Sequence, residues 1–443
     1  MCIRDRNINM SKLPPGIKEA TNYSYLDALY ERRSRRFAMG GEIDEGPLKF
    51  KSKHKPVPLS EIEEAILVWN GLGIKNINLS DFPPHKGLDL EVKFMSKTIA
   101  SLGDIHRTEL FYTNDDGLYL VKLHDQLPSD LRGIEGLSKE KKIEKILELF
   151  KASRVKIHDG RADLPMDPPG LAIHNTWSVN KPGTTLMMPV TDLSAGLINI
   201  LFFYMRDGHR FHFIDELKKM KPAGTQKWID DGYIDTSKPI PLIEAELRFA
   251  NGYIAEQPMF CQNVALTQQI LGLGGWMFSG FQSRYMLGAD KNYKGLGFTC
   301  VESKEDWGEA VSKAPVGLDG QFEAYSPPYY SDMNEAVEAF NDMKWSNWEE
   351  KFMPYKDPTG VLKSTPRPSK KEIEIVKDIC TYLYETYGRF PAFSDAMYCR
   401  MMVQNHHIDL DFYDHFYPEG SYTENHKNHF ALWHPEIEDP FKK

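Results

Sequence analysis

The stretch Thr108–Lys122, TELFYTNDDGLYLVK, decides the fold class of this chain. Thr108–Thr113 and Leu118–Leu123 are rich in the aromatic and β-branched side chains that favour strands. Asn114–Gly117 lies between them, and Asn, Asp and Gly tolerate the positive φ angles that a tight turn needs. The stretch therefore predicts an antiparallel β-hairpin.

Helical patterns lie on both sides of this hairpin. Ser60 with Glu63, and later Ser369 with Glu372, have the spacing of capping boxes, which open helices. Lys139–Lys151 has apolar residues at helical spacing on one face. The chain therefore contains both strands and helices.

A longer helical pattern runs over Ile243–Leu271 and carries Pro258, where we expect a kink or break. Gly272, Gly274 and Gly275 then end the pattern. Because these glycines follow a helix and do not open one, they are not a dinucleotide-binding fingerprint. They predict a helix C-cap and a glycine-rich connection.

Composition excludes several classes of function. The chain has 443 residues, a net charge of -9 and a pI of about 5.9, so we expect no nucleic-acid binding and no attachment to anionic membranes. No apolar run reaches the roughly 18 residues of a membrane span. The five Cys form no CxxC pair, which favours buried reduced thiols and a cytoplasmic location.

The first six residues, MCIRDR, resemble the translation of a sequencing adapter. We therefore expect residues 1–9 to be a non-native leader. The main domain is expected at 20–353, and the loop around Pro354–Pro368 separates it from a helical C-terminal extension at 366–435. We expect this extension to pack on the main domain as an appendage, whose loss lowers stability and leaves the chemistry intact.

Three short motifs carry chemistry. The first is the basic cluster Arg32–Arg36, in which guanidinium groups and a Ser hydroxyl suit a phosphate; taken alone, the cluster is better explained as a solvated basic face. The second is the turn Thr98–Gly103, which can aim backbone N–H groups at a ligand or be an ordinary turn. The third is Gln262-Asn263 followed by Leu271–Phe281.

The order of these motifs resembles the nitroreductase family, over roughly 25–121 and 244–328. Thr98–Lys122 is most similar to the branch that includes the oxidases of azoline-containing peptides. The resemblance implies an α+β fold, a mostly antiparallel sheet flanked by helices, in an intertwined homodimer with FMN at the subunit interface. It implies that Arg33, Ser34 and Arg36 contact the FMN phosphate and ribityl chain.

The same resemblance places Ser101 and Gly103 in a turn near the flavin, and the backbone of Ser279 and Gly280 beside flavin N5. No protein side chain is then expected to be catalytic. Phe37 follows the basic cluster one residue earlier than in the family, and the C-terminal basic residue that many members place on the phosphate has no counterpart that we can identify.

Residues 158–233 match nothing in short family members, so we interpret them as an insert that lines a substrate pocket. The insert contains four candidate pocket residues, although its histidines are better explained as core or surface residues. These candidates are His174, Trp177, His209 and His212.

The C-terminal region carries the cluster His406, His407, Asp409, Asp411, Asp414 and His415. His407 and Asp411 are one helical turn apart and could share a metal ion. A charged helix surface explains the cluster better, so we expect no metal.

These observations predict an FMN-dependent oxidoreductase that transfers hydride through flavin N5 between NADH or NADPH and a small-molecule acceptor. In the azoline-oxidase branch the substrate would instead reduce the flavin, and oxygen would reoxidise it. One alternative is a flavin-binding protein of the same fold without turnover, which serves in binding or sensing. Another is a metal-dependent hydrolase built on the C-terminal cluster.

Overall fold

The computed structural model describes residues 13–76, 96–123, 136–206, 208–302, 313–346, 355–364 and 367–442. The expected leader at 1–9 and the boundary residue Pro366 lie outside them.

The described helices lie along the whole chain. They are α1 Gly16–Asn22, α2 Tyr25–Glu31, α3 Glu61–Leu72, α4 Lys139–Ser153, α5 Leu193–Met205, α6 Gln226–Asp230, α7 Leu242–Ile254, α8 Glu256–Leu271, α9 Met333–Ser346, α10 Pro358–Ser364, α11 Lys370–Tyr387, α12 Leu410–Phe416, α13 Glu424–Lys427 and α14 His429–Trp433. No helix among the described residues is both long enough and apolar enough to cross a lipid bilayer.

The described strands alternate with these helices. They are β1 Glu42–Ile43, β2 Phe50–Lys51, β3 Ile74–Asn76, β4 Ser96–Lys97, β5 Thr108–Thr113, β6 Gly117–Val121, β7 Arg154–Asp159, β8 Thr185–Asp192, β9 Phe211–Asp215, β10 Lys221–Pro222, β11 Asp235–Pro241, β12 Gly274–Phe278, β13 Thr299–Glu302, β14 Lys313–Leu318, β15 Phe322–Glu323, β16 Met397–Tyr398 and β17 Met402–His406.

The main sheet has the order β12-β17-β8-β5-β6-β7, and β16 also pairs with β8. Every pairing in this sheet is antiparallel. The predicted hairpin is β5 and β6, and the Asn114 side chain closes its turn by accepting the Gly117 N–H. The α+β fold with a mostly antiparallel sheet is confirmed.

Both faces of the main sheet are buried. Side chains alternate along each strand, so each strand contributes side chains to the cores on both faces. On β5, Leu110 and Tyr112 join a core with α3 and α8, whereas Phe111 joins a second core on the opposite face. A third core lies around α5, α7, α9 and α11. The sheet is therefore a central layer between helices and loops.

Local signals in the sequence are confirmed at several helix ends. Both capping boxes form: the Ser60 N–H donates to the Glu63 carboxylate over 2.7 Å, and Ser369 and Glu372 form the second box. The expected break near Pro258 occurs earlier, at Ala255. Pro258 lies in the first turn of α8, where a missing N–H costs no helical hydrogen bond.

Two expectations about domain organisation are wrong. Residues 158–233 include β8, which pairs with both β5 and β17 inside the main sheet, so this segment is not simply an added pocket lining. Residues 366–435 include β17, which lies between β12 and β8. The C-terminal region is thus an integral part of the sheet and not an appendage, since pairing in an antiparallel sheet does not follow chain order.

Candidate functional site

The basic cluster is fixed to the edge of the main sheet. Arg35 pairs with Gly275 of β12 in an antiparallel bridge, and Phe37 is buried against the C-terminal residues that follow β17. Gly275 is required here, because a Cβ at this position would lie 2.1 Å from the Gln404 carbonyl oxygen. The structure therefore joins the first and third sequence motifs at one site.

The arginines of this cluster have different environments. The Arg35 guanidinium is buried and donates to the Ser421 carbonyl and the Gln269 side chain, and burial lowers its pKa to about 10. Arg33 is exposed, and its guanidinium donates to the Tyr30 carbonyl. Arg36 is half-buried, with its guanidinium 5.0 Å above the Trp276 ring. Arg35 has a structural role, whereas Arg33 remains accessible to a ligand.

A cavity of about 410 Å³ opens beside this cluster. Its lining includes Arg33, Ser34 and Arg36, which the family resemblance predicts to contact the FMN phosphate and ribityl chain, and it also includes Arg35. Aromatic rings form much of the remaining wall, and they come from Phe37, Trp177, Phe412, Tyr413 and Tyr417. The volume lies within the range of small-molecule sites, which is about 300–1,000 Å³.

The predicted turn at Ser101 and Gly103 forms before β5. Gly103 has a left-handed backbone with φ of 59°, and the Ser101 hydroxyl accepts the His106 N–H over 2.9 Å. Ser101 therefore closes its own turn. A shallow pocket of about 350 Å³ lies next to this turn, between Thr98–Ala100 and Pro258–Asn263.

Ser279 and Gly280 follow β12 directly. Ser279 is exposed, and the Gly280 carbonyl accepts the Ala172 N–H over 2.9 Å. A Cβ at Gly280 would lie 2.5 Å from the Asn175 side-chain nitrogen, so this position needs a glycine for space. The same strand thus leads from the Arg35 bridge to Ser279 and Gly280.

The Ser101 turn is not close to the basic cluster within one chain. Strand β5 follows this turn. Four strand spacings, or about 19 Å, separate β5 from the Arg35 segment. The structure therefore brings together Arg33, Ser34, Arg36 and β12, and leaves Ser101 and Gly103 apart from them.

The candidate pocket residues in 158–233 also separate. Trp177 lines the cavity and stacks on Phe37 at a centroid distance of 6.3 Å. His209 and His212 lie at β9, in a different sheet, and His174 is exposed. Only Trp177 of these four lines the cavity.

The C-terminal cluster is not a single charged helix surface, which corrects that interpretation. His406, His407 and Asp409 are buried and precede α12, whereas Asp414 and His415 are exposed on it. Asp411 pairs with His54 over 2.7 Å and does not meet His407. His407 instead lies in a buried group with a glutamate and two further histidines, which are Glu63, His429 and His434. The sequence interpretation missed this group because its members lie far apart along the chain.

Comparison with known proteins gives few matches. The chain matches no protein-family model and no curated protein. Among solved structures, it is similar to the crystal structure of a "putative nitroreductase" from Ralstonia eutropha JMP134, at 12% identity and a TM-score of 0.27. The alignment covers 60% of this chain and 74% of that protein.

Proposed function

We propose that this protein is an FMN-dependent oxidoreductase that passes hydride between NADH or NADPH and a small-molecule acceptor. The observation that carries the proposal is the cavity beside Arg33, Ser34 and Arg36. An accessible guanidinium, a hydroxyl and a second, half-buried guanidinium converge at the edge of an aromatic-walled space.

These residues suit FMN chemically. Arginine forks bind phosphate oxygens with charge-assisted hydrogen bonds, and Ser34 adds a hydroxyl. Flat aromatic walls suit a planar ring system. FMN, when bound, supplies the hydride chemistry at N5, and we assign the protein the tasks of binding, orienting and shielding it.

Ser279 and Gly280 are proposed to lie beside the reactive edge of the flavin. Support comes from β12, because this strand begins at the Arg35 bridge and ends one residue before Ser279. A cofactor held by its phosphate at the basic cluster could extend along this strand. In this proposal backbone groups, and not a side-chain acid or base, face the reacting atoms.

A homodimer is part of the proposal. Helix α2 leads into the basic cluster and exposes large apolar side chains, which are Tyr25, Leu26, Leu29 and Tyr30. Such a patch beside a ligand site is typical of an interface. A second subunit would also explain the separated turn, because its Ser101 and Gly103 could reach a flavin that is bound at the first subunit's cluster.

The absorption spectrum of the purified protein tests this function. We expect a yellow protein with about one FMN per chain, whose flavin absorbance bleaches when NADH or NADPH is added without oxygen and returns when air is admitted. A colourless protein that takes up no added FMN would contradict the assignment. Bound FMN that neither nicotinamide reduces would contradict the role of NADH or NADPH, and it would favour either an oxidase whose substrate reduces the flavin or the flavin-binding alternative without turnover.

A further inference from the structure

We propose that Glu63, His407, His429 and His434 bind a structural zinc ion that fastens the C-terminal segment to helix α3. The four side chains are all buried, with exposures of 0%, 2%, 2% and 4%. Each offers one ligand atom, and these atoms all lie within 4.8 Å of one another.

The distances suit a tetrahedral ion. His429 Nε2 lies 3.0 Å and His407 Nε2 lies 3.5 Å from Glu63 Oε1, and the Nε2 atoms of His407 and His434 are 3.1 Å apart. Zinc with nitrogen and oxygen ligands at about 2.0–2.1 Å separates neighbouring ligand atoms by about 3.3–3.4 Å. The cluster is therefore already close to the size that a zinc ion requires.

The outer nitrogens of the rings set their orientation. His407 Nδ1 donates to the Val57 carbonyl, and His429 Nδ1 donates to the Leu271 carbonyl, each over 2.8 Å. A carbonyl only accepts, so both Nδ1 atoms carry hydrogen, and Nε2 is the ring nitrogen that each side chain turns to the centre, where it can bind a metal. Metal-binding histidines have this arrangement almost without exception.

The third histidine has a weaker support on its outer side. His434 Nδ1 lies 3.7 Å from the Glu436 carboxylate, while its Nε2 faces Glu63. The Glu63 carboxylate is held from the other side, because the backbone N–H and the hydroxyl of Ser60 both donate to Oε2 at 2.7 Å. Oε1 is thereby left to face the imidazoles.

Hydrogen bonding alone leaves this group incompletely satisfied. Glu63 Oε1 and His429 Nε2 are fully buried and have no hydrogen-bond partner of good geometry among the described residues. His434 Nε2 also lies 3.1 Å from both Glu63 Oε2 and His407 Nε2, and the single hydrogen that this nitrogen can carry cannot serve both neighbours. A divalent cation would bind all four inward-facing atoms at once. Without such a partner, each buried polar atom that lacks a hydrogen bond raises the free energy of the folded state.

The expected role is structural, because four protein ligands fill a tetrahedral zinc site and leave no position for substrate. Glu63 and His434 are 371 residues apart in sequence. The ion would join α3 to the segment around α14, and none of its four ligands lines the cavity beside the basic cluster. This distinguishes the proposal from a hydrolase centre, which needs an open ligand position.

Metal analysis of the protein, carrying an affinity tag without histidines, tests the site. We expect about one zinc per chain in the wild type and less than a tenth of that in the His429→Gln variant. His426→Gln is the matched control, because His426 is also buried in the C-terminal segment but bonds to Thr423 and not to the cluster. It should keep its zinc. Retention of zinc by His429→Gln would overturn the proposal.

A second measurement covers the case in which His429→Gln does not fold. Wild-type protein is stripped with a chelator and titrated with Co²⁺, which absorbs strongly in the visible region when it is tetrahedral. One equivalent should develop this absorbance, and Zn²⁺ should abolish it and raise the melting temperature. A wild type that holds no metal and gives no Co²⁺ spectrum would refute the site, whatever its flavin content.

Discussion

Arg35 and Gly275 exchange both of their backbone hydrogen bonds, with N···O distances of 3.2 and 2.9 Å. This pairing fixes the basic cluster to the edge strand of the main sheet. Neighbouring arginines therefore have different roles. The Arg35 guanidinium donates its hydrogen bonds to protein acceptors, whereas Arg33 lies at the cavity.

Arg33→Ala is expected to weaken FMN binding without unfolding the protein. A hydrogen bond to a charged group contributes about 1.5–3 kcal/mol, which is roughly 10- to 150-fold in affinity. Riboflavin lacks the phosphate, so its affinity should not change. Titrations of both ligands by fluorescence measure the difference.

Arg35→Ala is the control for this prediction. It leaves acceptors at Ser421 and Gln269 without their donor, so it should lower the melting temperature and affect FMN and riboflavin alike. If Arg33→Ala binds FMN as tightly as the wild type, the phosphate is held elsewhere.

The double variant Leu26→Glu, Tyr30→Glu is expected to convert the dimer into monomers. These side chains are 59% and 77% exposed in the single chain, and charges buried in an interface without partners are costly. Light scattering after size exclusion gives the mass. Leu217→Glu is the matched control, since Leu217 is 56% exposed outside α2 and should leave the dimer intact. A wild-type protein that is monomeric with flavin bound would contradict the interface.

A chain that ends at Gly388 is expected not to fold. If the missing part were only an appendage, the rest of the chain would still fold. It lacks β17, so β12 and the Leu186–Met187 part of β8 lose their shared partner. Circular dichroism with a melting curve shows whether a cooperative transition remains. A truncated chain that melts cooperatively and binds FMN would restore the appendage interpretation.

Glu246→Gln is expected to remove part of the pH dependence of stability. Burial raises the pKa of Glu246 to about 7, and its carboxylate accepts the N–H groups of Ala392, Phe393 and Ser394. The folded state thus holds a proton that the unfolded state releases near pH 4.5, so this group's contribution falls as pH rises from about 4.5 to 7.

The difference across that window amounts to about 3 kcal/mol, at 1.36 kcal/mol per pKa unit. Urea unfolding of both proteins at pH 5 and pH 8 measures it. We expect the wild type to lose more stability than the variant on going to pH 8. Equal losses would show that Glu246 is charged in the folded protein throughout.

Local features of the fold were predictable from the sequence. The hairpin turn at Asn114–Gly117 and the capping boxes at Ser60 and Ser369 depend on residues three or fewer positions apart, and the structure confirms them. The position of β17 was not predictable, because the pairing of Asn405 with Thr185 joins residues 220 positions apart. Nothing in either strand's own pattern specifies its neighbour.

The candidate site likewise has some features that were predictable from the sequence and others that were not. Arg33, Ser34 and Arg36 were identified as adjacent residues, and they do line one cavity. The exclusion of Arg35 from that role required its contacts with Gln269 and Ser421. Glu63 was visible only as a helix cap, because its histidine partners come from the opposite end of the chain. The close pair His429 and His434 was the one available signal for that group.

The position of β17 has a consequence for how the protein is made. A ribosome releases the chain from its N-terminus at about 5–20 residues per second, and domains that are complete in sequence can fold as they emerge. Here an inner strand of the main sheet, β17, is synthesised after both strands that it joins, β8 and β12. Until it does, β12 and β8 expose open edges that other strands can pair with. The unfinished chain is therefore open to wrong strand pairing until β17 is made.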